Sequence, residues 1–176
     1  MSTEEKYNDV LISELTQKYD IDTSQVTEKY KILTGEILVL FINILNQIHN
    51  LEKEIFEKNE KLKNPKEPSQ TQPGEKELWE EFKERRKEII YKVSIKPNDI
   101  GSLSFGNPTK YEYLNYPDTK IKLSLKSSKR AVIETYFENG IKQKEQFILR
   151  NQDGNWKFDI KKYGFQSGDK WYKTDL

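Results

Sequence analysis

Apolar residues recur along this chain with two different periods. Up to residue 93 they return every three or four positions, the spacing of one helix face; from residue 120 they return every two, the spacing of a half-buried strand. "EKYNDVLISELTQKYD" places Val10, Leu11, Leu15 and Tyr19 on a short amphipathic helix. Asp22 or Thr23 then reads as the cap of a longer helix. Its stripe runs through Val26, Tyr30, Leu33, Ile37, Leu40, Ile44, Ile48, Leu51 and Ile55, widened by Leu38, Phe41, Leu45 and Phe56. Such a helix has about 35 residues and spans roughly 50 Å, with Gly35 as a break or bend. A third helix, "GEKELWEEFKERRKEIIYKV", turns Leu78, Phe82, Ile89 and Val93 inward and leaves Glu80, Glu81, Lys83, Glu84 and Arg85 in water.

In "KIKLSLK" the alternation puts Ile121, Leu123 and Leu125 on one side and Lys122, Ser124 and Lys126 on the other. In "NWKFDIKK" Trp156, Phe158 and Ile160 oppose Lys157, Asp159 and Lys161. "RAVIETYF" and "KEQFILR" are joined through Asn139-Gly140, a strong hairpin signal, and Asp153-Gly154 marks the next turn. Helices first and an antiparallel meander second predict an α+β fold, in which a curved antiparallel sheet wraps around N-terminal helices and buries both apolar faces. The segment 63–77, "KNPKEPSQTQPGEKE", has three prolines and no apolar residue and reads as an exposed, mobile loop. The 176 residues divide into an N-terminal helical extension, 1–34, and one domain, 35–176, that contains this loop.

Composition narrows the chemistry. Lys and Arg number 30 against 29 acids, so the chain is neither globally basic nor globally acidic. The signs are segregated: residues 1–64 carry −4 and the remainder +5. With no cysteine there is no disulfide framework, thiol catalysis or Cys-type zinc site. No acidic cluster has a metal-ligand spacing, and no cofactor is expected. "MSTEEKYNDV" lacks the apolar core of a signal peptide, and "ILVLFI" at 37–42 is too short to span a bilayer, so a cytoplasmic chain without membrane attachment is expected. The single histidine, His49, reads as a packing or helix-surface residue. By alternation Asp159 falls on the solvated face, while Tyr91, Tyr113 and Tyr136 are candidates to point inward; no nucleophile and base pair up, and a non-enzyme is expected.

Between residues 120 and 162 there are 11 basic residues and five acids. These lysines either keep an exposed sheet soluble or steer an acidic partner, with Lys122, Lys126 and Lys157 as the candidates. Nucleic acid is disfavoured, because Lys outnumbers Arg and acids dilute the patch. Near the C-terminus Trp171 and Tyr172 are either tucked against the domain or serve as interface anchors. In "GSLSFGNPTKYEY", residues 101–113, Asn107-Pro108 enforces a turn, and Phe105, Tyr111 and Tyr113 have the size to close the mouth of a cone or to shape a partner surface.

Four stretches together carry a family resemblance. "FINILNQIHNLEKEI" (41–55), "ELWEEFKERRKEI" (77–89), "GSLSFGNPTKYEY" and "AVIETYFENGIKQKEQFILRNQDGNWKFDIKKYGF" (131–165) resemble, in this order, the NTF2-fold immunity proteins of bacterial polymorphic toxin (Rhs-type) systems. The likeness covers about residues 35–165 and contains no catalytic signature. It implies an NTF2-like cone and a non-catalytic inhibitor, favoured as a monomer, that occludes the C-terminal domain of a cognate toxin. Tyr111, Tyr113, Lys122, Lys126, Lys157, Trp171 and Tyr172 are then the partner-binding candidates. The alternative is an NTF2-like small-molecule-binding protein or enzyme.

Overall fold

The computed structural model describes residues 3–67, 70–97, 114 and 118–176. The segment 101–113, with Tyr111 and Tyr113, lies outside the described residues. The order of elements is α1 (Thr3–Lys18), β1 (Asp20–Val26), a 3-10 turn (Glu28–Leu33), α2 (Thr34–Leu62), α3 (Glu75–Val93), β2 (Lys120–Ser127), β3 (Arg130–Asn139), β4 (Ile141–Gln152), β5 (Asn155–Phe165) and β6 (Tyr172–Thr174). The fold is α+β: three helices pack on a six-stranded sheet with the order β1-β2-β3-β4-β5-β6.

The sheet is mixed rather than antiparallel, because β1 runs parallel to β2. This corrects the expected long second helix. "DIDTSQV" is rich in residues that form turns or are β-branched, which gain little as helix. Asp22 does hold a backbone N–H, but it is that of Ser24, two residues on, at 2.8 Å. The resulting local turn coincides with the register shift between Asp22 and Gln25. The segment 1–34 therefore contributes a strand to the sheet, and Tyr19 and Val26 are buried in its main core.

The helix proper is α2, 29 residues and about 43 Å long. Gly35 does not bend it midway; it stands at its start. Its N–H donates to Asn8 Oδ1 at 2.7 Å. A Cβ there would lie 2.6 Å from that oxygen, so glycine is what lets α1 dock. Asn8 completes the clamp by donating from Nδ2 to the Lys31 carbonyl at 3.1 Å. The stretch Glu28–Leu62 is long and apolar enough by composition to cross a membrane. In this fold, however, Ile37, Phe41, Ile44, Leu45 and Ile48 are buried in the protein's own core, with Ile121, Leu123, Leu125, Ile133 and Leu149. Phe41 meets the Phe147 ring edge-on at 4.9 Å, and Phe147 meets Phe158 at 6.2 Å. Farther along α2, Leu51 and Ile55 enclose Phe82 of α3 in a second, smaller cluster.

Both predicted turns are present. Asp153 (φ 53°) and Gly154 (φ 88°) are left-handed in succession, the backbone of a type I′ hairpin, and Asn151 Oδ1 accepts the Gly154 N–H at 2.9 Å. A register shift in β5 changes the alternation read from the sequence. Leu149 pairs with Phe158, but Ile148 pairs with Ile160, so Asp159 is an inserted residue. Beyond it the faces exchange: Lys161 pairs with Phe147 and turns toward the helices, while Ile160 turns away. The three residues Lys157, Asp159 and Lys161 consequently do not share a face.

Candidate functional site

The sheet's helix-bearing face is apolar; its other face is where the charged candidates gather. Ile121, Leu123 and Leu125 are all 0% exposed among the core residues, so Lys122 and Lys126 project the opposite way. Trp156 and Phe158 orient β5 so that Lys157 projects there too. Registers convert these directions into rows. One row reads Lys122–Glu134–Gln146–Lys162 across β2 to β5, and Lys173 of β6 extends it. A second reads Ser127–Arg130–Arg150–Lys157, with exposed Lys126 beside Ser127 at a register shift. Between them Ser124, Val132, Ile148 and Ile160 form a narrow, mostly aliphatic strip. Among the described residues Lys122, Lys126, Lys157 and Lys162 make no ion pair.

Polar groups stiffen this face. Glu134 accepts from the Tyr136 hydroxyl and from Gln146 Nε2, both at 2.8 Å. Burial and the Glu134 contact push the Tyr136 hydroxyl up to about 12, so it remains a donor. Lys122 Nζ stands 5.1 Å from the Tyr136 ring centre. Tyr136 thus belongs to this open face, not to an interior site, and Tyr91 is 44% exposed on α3; neither points inward. Asp159 is held by Arg150 Nε at 2.6 Å.

The two C-terminal aromatics part company. Lys144, whose Nζ lies 4.6 Å from the Trp171 ring centre, also donates to the Gly168 carbonyl at 2.6 Å. Lys144 pairs with Tyr136 and lies on the open face, so Trp171 borders the lysine rows. Tyr172 pairs with Tyr163, their ring centres 5.4 Å apart, on the other face at the sheet's edge. Tyr163, Phe165 and Tyr172 are 41%, 43% and 44% exposed, an aromatic rim at the edge of which the sequence reading singled out Tyr172 alone. The structure therefore brings Lys122, Lys126, Lys157 and Trp171 to one face and sends Tyr172 to the other.

A cluster of buried charges also escaped the sequence reading. Arg86 of α3 meets Glu52 of α2 at 3.2 Å, with side chains 4% and 5% exposed. Lys161 of β5 meets Glu145 of β4 at 3.2 Å, 10% and 12% exposed. Burial raises the Glu52 carboxyl to about 6 against the opposing pull of Arg86 and Lys161. Arg86 also donates to the Leu176 carbonyl. Two of these residues had a readable signal. Arg86 lies four positions after Phe82 and four before Ile90, both buried, and Glu52 lies four after Ile48 and three before Ile55. A charge in an apolar stripe marks a buried partner. Lys161 and Glu145 had no such signal, because the bulge at Asp159 determines where Lys161 points.

On the outer surface of α2 and α3 a second network is solvent-facing: Arg85 binds Glu54 through both guanidinium nitrogens at 2.7 and 2.8 Å, and Lys58 bridges Glu54 and Glu81. Arg85 and Lys58 hold the Glu54 carboxyl at about 2. Among the described residues no group of three or more His, Asp or Glu side chains is disposed to hold a metal ion. His49 is half-buried on α2. Compared with known proteins, the chain matches no family model, no curated protein and no solved structure.

Proposed function

We propose that this chain is a non-catalytic binder that neutralises a bacterial toxin domain by occlusion, working in the cytoplasm of the cell that makes it, as the resemblance to NTF2-fold immunity proteins implies. The observation that carries the reading is the alignment of Lys122, Lys126 and Lys157, with Arg130, Arg150 and Lys162, on the face of the sheet away from the helices. Among the described residues Lys122, Lys126, Lys157 and Lys162 make no ion pair, while Arg150 is held by Asp159; cations left free on a sheet raise the encounter rate with an acidic partner and lose that effect as salt screens them. Trp171, at the border of the rows, supplies an aromatic anchor of the kind that dominates binding energy. Helices gathered on one face of a sheet are compatible with an NTF2-like cone, and in this proposal the cone's outer surface is the inhibitory one.

If a toxin-like C-terminal domain is encoded beside this chain, co-expression with it tests the reading. Growth is rescued by the native chain. The triple variant Lys122→Glu, Lys126→Glu, Lys157→Glu folds normally, associates more slowly, and loses the salt dependence of its on-rate. Rescue by a variant that no longer binds the toxin would overturn occlusion in favour of enzymatic repair.

A further inference from the structure

Away from the helices, the sheet carries an aliphatic strip where a face built only for solubility would be polar. Val132 of β3 and Ile160 of β5 are half-buried there, and Ile148 of β4, 4% exposed, forms the floor between them. Cations flank the strip on both sides. Arg130, Arg150 and Lys157 stand along one edge; Lys122, Lys162 and Lys173 stand along the other. Lysine commonly guards the exposed edges of sheets, but β2, β3 and β4 are interior strands, so that purpose does not explain the arrangement. The two rows are four residues apart along β3 and β4 (Glu134 to Arg130, Gln146 to Arg150), about 13 Å. An α-helix with its side chains is about 10–12 Å across and fits between them. Val132 and Ile160 lie two strand spacings apart, roughly 10 Å, and residues i and i+7 of a helix are about 10.5 Å apart.

We propose that this strip is the docking site for an acidic amphipathic helix of a partner protein, whose apolar stripe covers Val132 and Ile160 and whose carboxylates reach the cationic rows on either side. The inference rests on the reading of this face as the binding surface and adds what the partner brings to it. A helix laid in a groove anchors through apolar residues at i, i+3, i+4 and i+7, and the flanking charges set its orientation. Glu134 stands within one row between Lys122 and Lys162, held by Tyr136 and Gln146, so the helix carries no acid at the middle of that flank. Nucleic acid fits less well: the strip has no ring on which a base could stack, and Glu134 would face a phosphate.

The test titrates the full chain, methyl-labelled for NMR, with four probes at about 50 mM and about 300 mM salt. The first is a stapled helical peptide with leucines at i, i+3, i+4 and i+7 and glutamates along both flanks of that stripe. The second replaces the flanking glutamates with glutamines. The third keeps the first peptide's composition and staple but scrambles leucine and glutamate around the helix. The fourth is a short RNA duplex. The first peptide binds saturably, shifts the Val132 and Ile160 methyl resonances, and leaves those of Leu51 and Ile55 between α2 and α3 in place. Its affinity falls about tenfold at the higher salt, and the other three probes bind at least about tenfold more weakly. Val132→Ser with Ile160→Ser, which alters no charge, weakens the first peptide about tenfold at both salt concentrations. If that variant does not fold, the methyl map and the probe comparison on the native chain decide the matter. No saturable binding, equal affinity for the scrambled peptide, shifts that avoid Val132 and Ile160, or tighter binding of the RNA overturns the proposal. Any of these beside intact growth rescue refutes the helix alone; the expected peptide binding without rescue supports the helix and refutes the toxin reading.

Discussion

Replacing Arg86 with methionine isolates the energetics of the buried charges. Arg86 and Glu52 are almost fully withdrawn from water and meet at 3.2 Å. Methionine keeps much of the arginine's length and apolar contact but leaves the Glu52 carboxylate buried without its nearest cation, a loss of about 3–5 kcal/mol. That is a large part of the roughly 5–15 kcal/mol that holds a domain together. Replacing both residues, Glu52→Met with Arg86→Met, removes the stranded charge as well, so the double variant is near-native in stability or better. The loss in the single variant depends on pH. The native Glu52 carboxyl, raised from 4.5 to about 6, is easier to protonate folded than unfolded. Its contribution is fully present below about pH 4.5 and is lost as pH rises through about 6, amounting to about 2 kcal/mol. Without Arg86 the carboxyl rises further, so the deficit of the single variant shrinks on acidification from pH 7.5 to 5.5. Urea unfolding followed by circular dichroism at both pH values measures all of this. A single variant within 1 kcal/mol of native at pH 7.5, or a double variant as unstable as the single, would refute the reasoning.

Gly35→Ala forces a methyl group to within 2.6 Å of Asn8 Oδ1, so it costs about 1–3 kcal/mol and loosens α1, which hydrogen exchange in residues 6–18 reports. Deleting residues 1–18 removes that clamp and the packing of Leu15 on the core, and lowers the melting temperature of the isolated chain. Phe82→Ala empties the centre of the smaller cluster and costs about 3–5 kcal/mol in the same urea assay. Arg85→Ala, by contrast, breaks an exposed network and costs less than about 1 kcal/mol, with the difference diminishing in high salt.

Much of this molecule was legible as pattern. The three-and-four spacing of Ile37, Phe41, Ile44, Leu45 and Ile48 makes α2 a core helix wherever it docks, and the alternation of Ile121, Leu123 and Leu125 determines which way Lys122 points. Asp153-Gly154 sets its hairpin because few other residues adopt two left-handed conformations in succession. These are consequences of short-range geometry and of the hydrophobic effect acting on single elements. Tertiary structure decided the rest. β1 is a strand because β2 offers it a parallel edge and Tyr19 and Val26 a core to enter, an environment that no local propensity encodes. Asp159 is an inserted residue because β4 and β5 must keep pairing while the sheet bends, and that one residue sends Lys161 inward to Glu145 and leaves Asp159 to Arg150. Whether a lysine on a strand is solvated or buried thus turned on a register set between strands, and register is a property of pairs of segments, which no single segment carries.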